Sequence, residues 1–423
     1  MPKGALYEDP VEQGKRRRAP VDKERTKGTL NEDPVGSTEC TLNKKNAEKT
    51  EKKRNNSIEL LRFLFTAVII FFHINLDLWD QNKVIAVIRG VPVTFFMHGN
   101  LAVEFFFLVT GYLLARSVHK KRQEDKKRPG TAASLPRETL QFIVHKAKAV
   151  LPCYLAACAL TPAARLIAGK KLGLSYFLKR LPSLFFLQRL GLGRPFIGCT
   201  WYLSSLFIAL PFVYPLCRKY YRAYTRVVSP LLCAVLLWSI ISLTGSLGDI
   251  DDWFFFTYKT NIRAFAEISM GTTAYELSRF IRGRVHSLPS RAVLTFTALA
   301  CLALSIMYMC SAADGIYGLP VFYLLFFLIA ITFSGEGLIS RADIFRSPFF
   351  TWLGSVSLPM YVTQTLLRMV VPCVFGKCSQ WTQCFLIYAG TLFLAAGLLT
   401  AVSYVKSRSL PVSVYMPRRH ATE

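Results

Sequence analysis

Acidic residues are scarce in this chain. Its 423 residues include 26 Asp and Glu against 52 Lys and Arg, a net charge of +26. Such an excess can mark a nucleic-acid-binding protein, but here the basic residues fall in short tracts between apolar blocks. That is the pattern of loops held on the cytoplasmic side of a membrane, and nucleic acid is set aside as a partner. The 11 cysteines contain no CxxC pair, and nothing in the sequence marks a metal or dinucleotide site. Several cysteines lie inside apolar stretches and read as small buried hydrophobes. Cys373, Cys378 and Cys384 share one expected external loop, where a disulfide is conceivable but no pairing is assignable. No apolar core with a cleavage site follows the N terminus closely, which excludes a signal peptide. An organellar transit signal and an inverted repeat are also missing. After the last apolar block only about twenty residues remain, too few for an appended esterase-like domain.

What the chain has in excess is apolar length. Hydrophobic residues make up 52% and the mean hydropathy is +0.32. They come in blocks of about twenty, the length needed to cross a bilayer. Ten spans fit: 58–77, 99–118, 143–166, 203–217, 227–244, 262–280, 291–311, 317–334, 350–372 and 384–404. The expectation is an all-α polytopic membrane protein. A polar, basic tail over 1–57 is expected to be disordered and cytoplasmic, followed by a transmembrane domain over 58–405 and a short cytoplasmic tail over 406–423. The fourth span is short and holds Pro211 and Pro215, so a kink or a longer helix is expected there. With the N terminus inside, Lys and Arg fall on the cytoplasmic side at almost every alternation. The exception is 167–202, with Lys170, Lys171, Lys179, Arg180, Arg189 and Arg194 on the expected outside, read as an amphipathic or re-entrant piece.

Ionisable residues inside spans are costly and point to function. Arg62 and His73 lie eleven residues apart in the first span, close to three helical turns, hence on one face and about 16 Å apart. Arg62 suits a phosphate near the cytoplasmic surface; the plainer reading is an arginine snorkelling to headgroups, with Glu59 as a local partner. His73, near the external end, suits a general base for an alcohol nucleophile; the plainer reading is an interfacial hydrogen-bonded histidine. Glu104 in the second span either orients His73 or meets a substrate hydroxyl, or is an interfacial carboxylate. Thr110 and Gly111 permit close helix approach. Arg263, Glu267, Gly271 and Tyr275 recur every four residues. Arg263 and Glu267 read first as a mutual ion pair and second as substrate contacts. Trp201, Tyr202 and Trp253 read first as an interfacial aromatic belt and second as platforms for sugar rings.

Several of these segments also resemble one family. Arg62 and His73 stand as in the signature first helix of the membrane acyltransferase-3 family. VEFFFLVTGYLLA (103–115), TWYLSSLFIALPFVYPL (200–216), NIRAFAEISMGTTAYEL (261–277) and SLPMYVTQ (357–364) are similar to its later helices. Thr110 stands where serine is usual. The family's R-x-x-R-x-x-P motif appears as Lys146, Ala149 and Pro152, with Lys148 and His145 keeping the segment basic. Gln364 replaces a histidine and cannot titrate. The resemblance implies an integral membrane O-acyltransferase of surface carbohydrates. Acyl-CoA, acetyl-CoA above all, would be the cytoplasmic donor and a glycan hydroxyl on the far side the acceptor. Arg62, Lys146 and Lys148 would meet the donor, His73 and Glu104 the chemistry, and Trp201, Tyr202, Arg263, Glu267, Tyr361 and Gln364 the substrate. It also suggests a bacterial plasma membrane. The rival from another class is a transporter or flippase for a lipid-linked glycan or small metabolite, since polar residues in spans serve transport equally well.

Overall fold

The computed structural model describes residues 56–79, 83–88, 90–128, 133–248, 250–285, 287–312, 318–342 and 347–409. The tail expected over 1–57 lies outside them except for Asn56 and Ser57, which already begin the first helix. The C-terminal tail lies outside them beyond 409. Ten long helices follow one another: α1 Asn56–Leu78, α2 Ala102–Lys127, α3 Leu135–Ile167, α4 Trp201–Lys219, α5 Ser229–Thr244, α6 Lys259–Arg284, α7 Leu288–Met309, α8 Gly318–Ser334, α9 Pro348–Val374 and α10 Gln380–Ser409. Every expected span falls on one of them. The fourth runs unbroken through Pro211 and Pro215, extended at its start by a 3₁₀ turn over Gly198–Thr200. Eight helical segments are long and apolar enough to cross a membrane. The other two long helices, α6 and α9, carry the polar side chains discussed below and bury many of them in the bundle, where a polar helix is shielded from lipid.

Contacts at the helix ends show the alternation. At one end, Asn56 at the start of α1 donates to the Ser347 carbonyl at the start of α9. Arg218 at the end of α4 pairs with Asp125 of α2 and Glu138 of α3. Arg282 of α6 donates to the carbonyls of Phe333 and Ser334 at the end of α8. At the opposite end, Gln380 of α10 donates to the Leu78 carbonyl of α1. A hairpin of β1 (Val84–Ile88) and β2 (Val91–Thr94) is tied to the end of α7 through Thr94 N–H and the Cys310 carbonyl, 2.7 Å. The segment 167–202 lies at this second end. It is a chain of short helical turns, Leu174–Leu178, Leu181–Phe185 and Gln188–Leu190, and not a span. Cys373, Cys378 and Cys384 are free thiols, the first two exposed.

The centre of the bundle is the crossing of α2 and α6. A Cβ on Gly111 would stand 1.9 Å from the Ile268 carbonyl oxygen, and one on Gly271 would stand 2.2 Å from that of Leu108. The two backbones touch where small residues let them. Overpacking a site of this kind costs about 1–3 kcal/mol or more. Gly111→Ala and Gly271→Ala are therefore expected to lower the thermal midpoint of the detergent-solubilised protein. Gly397→Ala, whose Cβ would meet nothing within 4 Å, is expected to leave it unchanged or raised. Equal responses at the three glycines would contradict this packing.

Candidate active site on the paired helices α1 and α9

α1 and α9 run side by side in the same direction and are joined by rungs along their length. Asn56 bonds Ser347 and Thr351 at the start. Glu59 lies against Gly354, where a Cβ would meet its carboxylate oxygen at 1.8 Å. His73 bonds Gln364, and one turn further Asp77 takes both Arg368 Nε and Nη2, at 2.5 and 2.8 Å. The last two rungs share one register, since 73 to 77 and 364 to 368 are each one helical turn.

The His73 contact has a chemical direction. Its Nδ1 lies 3.1 Å from Gln364 Oε1, while Gln364 Nε2 donates to the Tyr361 carbonyl at 3.0 Å. With the amide nitrogen so engaged, the oxygen faces the imidazole and can only accept. Nδ1 is therefore assigned the proton and Nε2 the lone pair. Among the described residues Nε2 has no side-chain hydrogen-bond partner; the Ile69 carbonyl one turn back also faces the ring, and His73 is half-buried. Tyr361 is held in turn: its hydroxyl donates to the Cys199 carbonyl, and Cys199 Sγ donates back to the Tyr361 carbonyl at 3.3 Å. Tyr202 leans on Phe107 and Tyr361, with centroids 4.6 and 6.0 Å away, and faces the Thr110 hydroxyl.

At the other end of the same α1 face, Arg62 Nη1 bonds Glu59 at 2.9 Å and keeps 30% of its side chain exposed. Lys146 of α3 stands close enough to Arg62 for the two charges to interact, and no carboxylate among the described residues pairs with it. Lys148, two positions on, is exposed on another face. It does not join this cation pair, contrary to expectation.

Other expectations are corrected. No hydrogen bond joins Glu104 to His73. Glu104 Oε1 instead accepts from Arg263 Nη2 at 3.1 Å, Glu267 Oε1 accepts from Arg263 Nε at 2.6 Å, and the Leu247 carbonyl accepts from Nη1 at 2.9 Å. Arg263 is 1% exposed and both glutamates are 0%. The expected Arg263–Glu267 pair is present with Glu104 as a third member, and burial leaves Arg263 and Glu267 no surface for a substrate. Trp201, 6% exposed and near Phe107, is neither at a lipid interface nor open to a sugar face. Trp253 sits exposed in the short hairpin of β3 (Trp253–Phe254) and β4 (Thr257–Tyr258).

The arrangement is thus a long helix face with two cations at one end and an oriented imidazole at the other, so that an anion-attracting group and a potential base lie on one face. A family model for an acyltransferase domain matches residues 55–406. The chain belongs to the acyltransferase-3 family. It is accordingly a membrane acyltransferase, and the match spans all ten helices. No curated protein and no solved structure matches it. Among the described residues of this acyltransferase, no three His, Cys, Asp or Glu side chains converge as metal ligands would.

Sequence reading missed the pairing of Asp77 with Arg368 and the orienting role of Gln364. The available signal was the four-residue step shared by the two helices. Removing the centre of the buried triad gives a test of its structural role. Arg263→Ala leaves two carboxylates without their cation and should cost about 3–5 kcal/mol, seen as loss of monodisperse protein or a large drop in thermal midpoint. Glu104→Gln, which keeps a hydrogen-bond acceptor for Arg263, should cost less. The reverse order would refute the account.

Proposed function

We propose that this acyltransferase moves an acyl group, acetyl by preference, from cytoplasmic acyl-CoA to a hydroxyl of an extracytoplasmic carbohydrate. The observation that carries the reading is the orientation of His73. Its Nδ1 is engaged by Gln364, and Nε2 has no side-chain partner among the described residues, on the same helix face as Arg62. In this mechanism Nε2 accepts the proton of the acceptor hydroxyl. The hydroxyl oxygen attacks the thioester carbonyl, the new C–O bond forms as the C–S bond breaks, and the imidazolium returns the proton to the departing thiolate. Arg62 and Lys146 hold the donor's phosphates. Guanidinium offers a two-bond fork and ammonium a point charge, which suits a polyanion entering from the cytoplasm. The roughly 16 Å rise between Arg62 and His73 leaves room for a long thioester arm to lie along α1. Tyr202 and Tyr361 flank the acceptor end, Tyr361 through its hold on Gln364.

In this reading the chain sits in a bacterial plasma membrane with the Arg62 end inside. That end carries Lys120, Lys121, Lys126, Lys127, Arg218, Lys219, Arg282 and Arg284, as the positive-inside rule favours. Cys373 and Cys378, exposed at the other end, should then be labelled by a membrane-impermeant maleimide added to intact spheroplasts, with the signal reduced in Cys378→Ser. Labelling only after permeabilisation would invert the topology.

The chemistry is tested by thiol release from acetyl-CoA by purified protein in nanodiscs offered sugar acceptors. His73→Ala should lower acceptor-dependent release by about 10²–10⁴-fold. Gln364→Leu should lower it by less, and Gln364→Glu, which can still accept from Nδ1, should retain most of it. Undiminished release in folded His73→Ala would remove His73 from the reaction. Absence of release by folded wild type over several acyl-CoAs and acceptors, with glycan export lost in His73→Ala, would favour a transporter.

A further inference from the structure

The stretch joining α3 to α4 holds six cations and no acidic residue from 167 to 202. Among the described residues only Arg189 of these six meets a carboxylate, Asp251 at 2.8 Å. Of the others, Arg180 shares one ring with Arg165, which precedes the stretch. Arg165, in the last turn of α3, and Arg180 lie 4.7 and 4.0 Å from the centroid of Tyr176. Arg194 is close enough for its charge to act on Arg180. Three guanidiniums thus share a small volume with no carboxylate among the described residues. Burial first, and then the charges of Arg165 and Arg194, hold Arg180 below its ordinary pKa, with Tyr176 acting the other way.

Two donors in this cluster are buried and unanswered. The Tyr176 hydroxyl has no partner although the residue is 9% exposed, and Arg165 Nε has none. Buried donors without acceptors cost free energy, and grouped like charges repel. An anion with several acceptor oxygens relieves both at once, and phosphate matches guanidinium geometry best. Around the cluster, Leu166, Ile167, Leu174 and Leu178 are each more than half exposed. A binder of a soluble anion has no use for leucines at its rim, whereas the border of a bilayer's apolar layer does.

We infer that Arg165 and Arg180, both against the Tyr176 ring, together with Arg194 beside Arg180, form a site for the phosphate of an anionic phospholipid headgroup at the membrane face that carries His73. The guanidiniums and the tyrosine hydroxyl donate to the phosphate oxygens while the exposed leucines enter the acyl layer. This accounts for a basic cluster at the end where Lys and Arg are otherwise few. It stands apart from the acyl-transfer reading, because its test measures lipid binding and not turnover.

The test uses the full-length protein in nanodiscs of phosphatidylcholine with and without phosphatidylglycerol, with retained lipid counted by native mass spectrometry. Wild type should retain phosphatidylglycerol in preference to phosphatidylcholine. Arg165→Gln with Arg194→Gln should weaken that retention about tenfold. Arg194→Gln alone, at an exposed side chain that makes no bond to a described residue, should weaken it by a smaller factor and serves if the double variant does not fold. Inorganic phosphate at millimolar concentration should not displace the lipid. Unchanged phosphatidylglycerol retention in the folded variants would overturn the site. Displacement by inorganic phosphate would overturn the lipid assignment and give the cluster to a soluble anion.

Discussion

The guanidinium of Arg263 is sealed from water, and the bundle is arranged to answer it. A charge at membrane depth is tolerated only when neutralised and hydrogen-bonded within the protein. Here Glu104 of α2, Glu267 of α6 and the Leu247 carbonyl ahead of α6 divide its donors among them. That demand brings α2 against α6, and Gly111 and Gly271 remove the side chains that would hold the two backbones apart. α1, which bears Arg62 and His73, packs on α2 and so is seated against this centre, while α9 reaches it through α1.

The same demand shapes the site. Arg62 is met by Glu59, and Arg368 by Asp77 across the α1–α9 interface. The first pairing lies within α1, whereas the second crosses to α9 and fixes the rotation of the two helices against each other. With α1 and α9 locked in parallel register, His73 has Gln364 as its neighbour, and an amide that cannot titrate settles which imidazole nitrogen carries the proton. Gln364, where the related pattern has histidine, is the residue that meets Nδ1 in this structure. Lys146 is the cation on this face that no carboxylate among the described residues answers. An unanswered charge beside Arg62 is what an incoming polyanion requires.

Much of this was legible in the chain. The ten apolar blocks match the ten helices to within a few residues at most ends, because a bilayer imposes a length and a composition on anything that crosses it. The shared face of Arg62 and His73, the Arg263–Glu267 pair and the close approach at Gly111 follow from helical periodicity, which is local. The placements of Glu104, Lys148 and Trp201 were not legible. Glu104 is equally compatible with His73 and with Arg263 when only its own helix is considered. Lys146 and Lys148 look alike in a motif, yet positions two apart on a helix point to different faces.

By itself the sequence determined the class of protein, the number and length of its helices, the end where basic residues gather, and the candidate base and cation on α1. Each depends on periods and compositions that a single segment carries. The tertiary structure decided which charges neutralise one another, which nitrogen of His73 faces Gln364, and that two arginines crowd one tyrosine with a third beside them. Those depend on which helix lies beside which and at what rotation, a property of the packed bundle that no segment holds alone.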